Sequence, residues 1–72
     1  MNIMIQKYTI LLEKYLKNEL SYEAKLQFEQ ALAKNVRICE LLKSSNTIPE
    51  HQFIKLYHAI KQKVAYRLEQ LI

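Results

Sequence analysis

The sequence predicts an all-α protein. Glycine is absent and Pro49 is the only proline, so the tight turns that join strands into hairpins are unfavourable. In three segments the apolar residues recur every three or four positions, which is the period of an amphipathic helix. We therefore predict one domain, residues 1–72, in which a helical hairpin of two long amphipathic helices follows a shorter N-terminal helix.

The first helix is predicted over about residues 3–17. Its lysines, with Glu13 and Asn18, lie on one side when successive residues are placed about 100° apart. The opposite side collects the apolar residues Met4, Ile5, Tyr8, Leu11, Leu12, Tyr15 and Leu16.

The second helix is predicted over about residues 22–43, with Ser21 as its N-cap and Glu23 in the first turn, where the helix dipole favours negative charge. One apolar stripe runs its length and contains Ala24, Phe28, Ala31, Leu32, Val36, Ile38, Cys39 and Leu42. Asn35 falls inside this stripe. One continuous helix is the simpler interpretation, and two shorter helices separated at Asn35 are the alternative.

The third helix follows the polar loop 43–46 and is predicted over about residues 48–71. Thr47 and Glu50 have the spacing of a capping box, and Pro49 is tolerated in a first turn. Its near-heptad seam is formed by Phe53, Leu56, Tyr57, Ile60, Val64, Leu68 and Leu71, widened by Ile54, Ala65 and Ile72. A seam this wide can pack on the hairpin partner and still leave apolar area for a second protein.

The residue inventory indicates a protein without an active site. No aspartate is present, the one cysteine (Cys39) allows no internal disulfide, and His51 and His58 are too far apart for a one-helix metal pair. Without glycine there is no phosphate-cradling loop. We therefore expect no enzyme activity, no metal and no cofactor, with Cys39 as a core residue.

The charge pattern argues against nucleic acid as the partner. The net charge is +4, but the eleven basic residues alternate with seven glutamates along the chain. No apolar run reaches the roughly 20 residues that span a bilayer, and a lone cysteine suits a reducing compartment. A short chain that is half apolar usually needs a partner to complete its core. We expect a cytoplasmic protein that binds another protein, with poor solubility or self-association when it is expressed alone, and the sequence leaves open whether the free chain is a monomer or a dimer.

The order of helices, cap and loop resembles the small co-chaperones of the type III secretion needle subunit. The local likeness lies in residues 26–34, LQFEQALAK, and in 49–53, PEHQF. The resemblance implies a protein that binds a helical-repeat chaperone and, with it, keeps the needle subunit monomeric. It places the contact surface at Tyr8, Leu12, Tyr15, Phe53, Ile54, Tyr57, Ile60, Val64, Leu68 and Leu71. Tyr22 and Tyr66 fall off the apolar stripes and are further candidates for a binding surface.

Two weaker resemblances imply a transcription-regulatory adaptor instead. Residues 11–35, which include the run Tyr-Leu-x-x-Glu-Leu-Ser, are similar to the N-terminal helices of anti-sigma factors, without the zinc-binding pattern of the zinc-containing members. That resemblance predicts a break near Asn35. Residues 19–21 (ELS), Phe28, residues 48–49 (IP) and Phe53 are spaced as in small modulators that pair with a DNA-bound nucleoid protein, although this chain continues for 19 residues beyond Phe53.

Overall fold

Four α-helices make up the computed structural model, which describes the backbone of residues 3–45 and 47–71 and the side chains of 6–45 and 47–70. They are α1 (Ile3–Leu16), α2 (Tyr22–Lys34), α3 (Val36–Lys43) and α4 (Glu50–Leu71). The described part of the chain contains no strand, so the all-α prediction is confirmed. The side chains of Met4, Ile5, Leu71 and Ile72, which the predicted seams include, lie outside the described ones, as does the loop residue Asn46.

Helix α1 ends in a left-handed turn at Asn18. The backbone φ of Asn18 is 59°, a region that glycine normally occupies at helix ends. The amide of Asn18 donates to the carbonyl of Tyr15, and the amide of Glu19 donates to the carbonyl of Lys14. These two bonds form a Schellman motif, which asparagine tolerates better than other non-glycine residues.

Helix α2 begins where the sequence predicts. The Ser21 hydroxyl accepts a hydrogen bond of 3.2 Å from the amide of Ala24, and the Ser21 backbone is extended. Glu23 lies in the first turn, near the positive end of the helix dipole. Ser21 is therefore the N-cap, as predicted.

The prediction of one continuous helix over 22–43 is wrong. Asn35 is extended (φ −115°, ψ 104°) and serves as the C-cap of α2 and the N-cap of α3. Its amide donates to the carbonyl of Ala31, while its side-chain oxygen accepts from the amide of Arg37 at 3.0 Å. Asn35 thus satisfies a backbone group at each of the two helix ends, and the helix is interrupted here. Val36, which was predicted inside the apolar stripe, is 65% exposed.

Helix α4 starts at Glu50, two residues later than predicted. The carbonyl of Pro49 accepts the first helical bond from the amide of Phe53, so the proline precedes the first turn. The predicted capping box of Thr47 and Glu50 is therefore wrong, because Glu50 is the first residue of the helix. The hydroxyl of Thr47 lies 2.9 Å from that of Ser45, within the turn that links α3 to α4. The Lys43 ammonium lies 3.2 Å from the Glu50 carboxylate across the same turn.

The core takes residues from every helix. Helix α4 packs mainly on α2 and also on α3, and α1 packs on α3. The predicted hairpin of two long helices is therefore replaced by one long helix, α4, covered by shorter ones. The buried apolar side chains are Leu12, Phe28, Leu32, Ile38, Leu42, Phe53, Ile60 and Val64.

Candidate protein-binding surface

Four of the residues predicted to bind a partner lie in the core. Leu12, Phe53, Ile60 and Val64 are each at most 5% exposed. Helices α2 and α3, which meet at Asn35, both pack on α4 and cover its three residues of this set, and Leu12 of α1 belongs to the same core. In this fold these side chains stabilise the domain and are not open to a second protein.

Three predicted tyrosines, Tyr8, Tyr15 and Tyr57, are half-buried and pack against the core. The Tyr15 ring lies 5.2 Å from that of Phe28, centre to centre. Tyr8 lines a shallow groove between α1 and α2, whose apolar wall includes Leu11, Ala24 and Phe28. Each ring thus joins the core to the surface, as expected of amphipathic aromatic residues.

Helix α4 carries an exposed apolar line outside the core. Ile54 and Leu68 are 40% and 45% exposed, and Lys61 lies midway between them, seven residues from each. The Lys61 ammonium lies over the Tyr57 ring, 5.3 Å from its centre. We call Ile54, Tyr57, Lys61 and Leu68 the outer stripe of α4. The side chain of Leu71, the remaining predicted contact residue, is outside the described ones.

Tyr22 and Tyr66 are more exposed still, at 76% and 63%. Tyr22 opens α2, whereas Tyr66 lies two residues before Leu68, about 200° around the axis of α4 from it. The two tyrosines do not belong to the outer stripe. Both rings are exposed, and their contact with a partner stays a prediction.

A buried charge cluster centred on Glu29 joins three helices, and the sequence did not predict it. Glu29 on α2 is 0% exposed. Its carboxylate accepts a hydrogen bond of 2.5 Å from the Tyr15 hydroxyl and another from Nη2 of Arg67, and the Lys63 ammonium lies 3.9 Å away. The cluster therefore joins α1, α2 and α4. Glu29 follows Phe28 directly and lies outside the predicted apolar stripe, so the periodic pattern did not indicate that Glu29 is buried.

The cluster keeps Glu29 ionised. Burial alone would raise its pKa, but the hydrogen bonds from Tyr15 and Arg67 and the charges of Arg67 and Lys63 outweigh burial, so the pKa is lowered. The pKa of the Tyr15 phenol is raised, first by burial and then by its bond to the Glu29 carboxylate. Tyr15 thus stays a hydrogen-bond donor, and the cluster acts as a structural lock between helices.

Cys39 is half-buried on α3 beside the core, in keeping with its predicted role. Burial raises the pKa of its thiol, which more than offsets the lowering effects of Lys43 and Tyr57. A thiol of this kind is a weak nucleophile at neutral pH. Within the described residues, no three histidine, cysteine or acidic side chains come together as a metal site.

No known family model, curated protein or solved structure matches the chain. Of the helices described, none is both long and apolar enough to cross a membrane.

Proposed function

We propose that this chain is a small transcription-regulatory adaptor that acts by binding another protein. The observation that carries the binding role is the outer stripe of α4, where Ile54 and Leu68 remain exposed although the domain has a core of its own. Large apolar side chains aligned on one face of a helix are a common contact surface for a partner helix.

The break at Asn35 favours the regulatory class over a secretion co-chaperone. The resemblance to anti-sigma helices predicts such a break, whereas the organisation shared with needle co-chaperones has one long helix at this place, and the chain has two shorter ones. The residues shared with nucleoid-protein modulators also have clear folding roles in this chain. Ser21 caps α2, Phe28 and Phe53 are buried, and Ile48 packs against the core.

A second candidate function is the needle co-chaperone itself. The outer stripe favours it as well, because covering a polymerising helix requires an exposed apolar face on the chaperone. Part of the α4 seam that the co-chaperone mechanism would use is occupied, since Phe53, Ile60 and Val64 are buried in the core. We therefore place this function second.

The test is co-purification from the native host with the full chain carrying a tag, followed by mass spectrometry. The double variant Ile54→Ser, Leu68→Ser serves as the binding-deficient control, and Tyr66→Ser as a control on another side of α4. Salt-sensitive recovery of a sigma factor or nucleoid protein, lost in the double variant, is the expected result. Recovery of a helical-repeat chaperone with a needle-like subunit would instead establish the second candidate, and recovery of neither class would contradict both.

A further inference from the structure

We infer that the outer stripe of α4 binds an amphipathic helix that presents an acidic side chain to Lys61. The inference rests on the adaptor function proposed above and specifies the chemistry of its partner. The stripe has an apolar residue at each end and a cation in the middle.

The spacing of the stripe fits a helix. Ile54, Lys61 and Leu68 are separated by seven residues each, which is the repeat that keeps side chains facing a partner helix. At 1.5 Å per residue, Ile54 and Leu68 are about 21 Å apart along α4. A partner helix of about four turns would cover both ends.

Tyr57 holds the middle of the stripe in place. Its ring stacks with the buried ring of Phe53, with centres 6.4 Å apart and planes 12° from parallel. The ammonium of Lys61 lies over the Tyr57 ring. The charge is therefore retained at the centre of the stripe, on an apolar support, where a carboxylate from a partner would meet it.

The charges of α4 select an acidic partner. Between Glu50 and Glu69 every charged residue of this helix is basic. Lys63 and Arg67 face the carboxylate of Glu29, whereas Lys61 makes no ion pair with any described residue. A partner that supplied a carboxylate at this point would satisfy Lys61, and one that supplied a cation would be repelled.

The same arrangement disfavours a second copy of this chain. Two copies joined by the outer stripe, with Ile54 and Leu68 covered at both ends, would be centred on Lys61. Their two Lys61 ammonium groups would then lie close together in an interface that excludes water, which is unfavourable. The partner is therefore a different protein.

The experiment uses the full chain and two synthetic amphipathic helical peptides, each about four turns long, as dye-labelled probes. The peptides are identical, with apolar residues spaced to meet Ile54 and Leu68, except that one has glutamate and the other lysine at the central position. Fluorescence anisotropy should show the glutamate peptide binding at least roughly tenfold more tightly. Lys61→Glu should reverse that preference, and Ile54→Ser with Leu68→Ser should abolish binding of both peptides. Tyr66→Ser should change neither affinity.

Equal affinities for the two peptides, no binding, or a preference that Lys61→Glu leaves unchanged would overturn the inference. Dimerisation of the free chain, prevented by Ile54→Ser with Leu68→Ser in sedimentation, would overturn it too, because the stripe would then be occupied by a second copy. A failure of the outer stripe to bind an acidic helix is distinguishable from a failure of the adaptor function. A regulatory protein recovered equally by the wild-type chain and by the Ile54→Ser, Leu68→Ser variant would leave that function standing and remove only this surface.

Discussion

The hydroxyl of Tyr15 donates a 2.5 Å hydrogen bond to the buried carboxylate of Glu29, joining α1 to α2. Helix α1 makes its main helix–helix contact with α3. This bond, the ring contact of Tyr15 with Phe28 and the Lys25 ammonium, 5.9 Å from the centre of the Tyr15 ring, join α1 to α2. The strength of that attachment can be measured through variants of both residues.

Tyr15→Phe keeps the ring and removes only the hydroxyl. We expect it to lower the free energy of unfolding by about 2 kcal/mol, because Glu29 is buried and loses a donor to its charge. Urea denaturation followed by circular dichroism measures the change. Tyr22→Phe is the matched control, since Tyr22 is 76% exposed, and its effect should stay within about 0.5 kcal/mol. Equal effects of the two substitutions would show that the Tyr15 bond contributes nothing.

Glu29→Gln tests the charge of the cluster. We expect a loss of about 3 kcal/mol near neutral pH, because Arg67 and Lys63 lose their carboxylate while the amide keeps the shape of the side chain. Urea denaturation of both proteins at about pH 7 gives the difference.

The stability difference between the wild-type chain and Glu29→Gln should depend on pH. The pKa of Glu29 is lower in the folded chain than in the unfolded one, so its contribution is full above the ordinary glutamate pKa. It is lost as the pH falls through that value towards the lower folded pKa. The two stability curves should therefore converge in acid, and curves that stay parallel down to about pH 3 would contradict an ionised Glu29.

Asn35→Ala removes a cap shared by two helices. The substitution deletes the bond from the Asn35 side chain to the amide of Arg37, and we expect a loss of about 1 kcal/mol despite the higher helix propensity of alanine. Thermal or urea denaturation measures it, with Lys34→Ala, one residue earlier on the exposed side of α2, as the control. An increase in stability together with higher helix content would show that 22–43 prefers to be continuous.

Asn18→Gly should stabilise the chain by about 0.5–1 kcal/mol, because glycine adopts the positive φ of this position without a steric penalty. Asn18→Val should destabilise it, since a β-branched residue fits this region poorly. Denaturation of the three proteins under one condition gives the order Gly, Asn, Val. Any other order would argue against the left-handed turn at the end of α1.

Local features of the fold follow from local sequence. The period of the apolar residues predicts the first helix (about 3–17) and the last (about 48–71) to within two residues of α1 and α4, and it predicts the start of α2 at residue 22. Ser21 is recognisable as a cap because it acts on an amide three residues away. The left-handed Asn18 was not anticipated, although an asparagine at the end of an apolar pattern is the signal that identifies it.

Asn35 shows the limit of a periodic pattern. The apolar stripe continues in phase through this residue, and a continuous helix and a capped break are both compatible with it. The break places Ile38 and Leu42 in the core and exposes Val36. The helix propensity of one asparagine differs from that of its neighbours by well under 1 kcal/mol. The packing of the core therefore decides between a continuous helix and a capped break.

The sequence by itself determined the helical class, the approximate bounds of the first and last helices and the cap at Ser21, since each depends on residues within one or two helical turns. Only the tertiary structure decided which apolar faces close the core and which stay outside. The α4 seam was wide enough for either role, and the packing of α2 and α3 buried Phe53 and Ile60 while leaving Ile54 and Leu68 exposed. Glu29 is buried for the same reason, because its charge is satisfied by Arg67, 38 residues away in the chain, which no local pattern records.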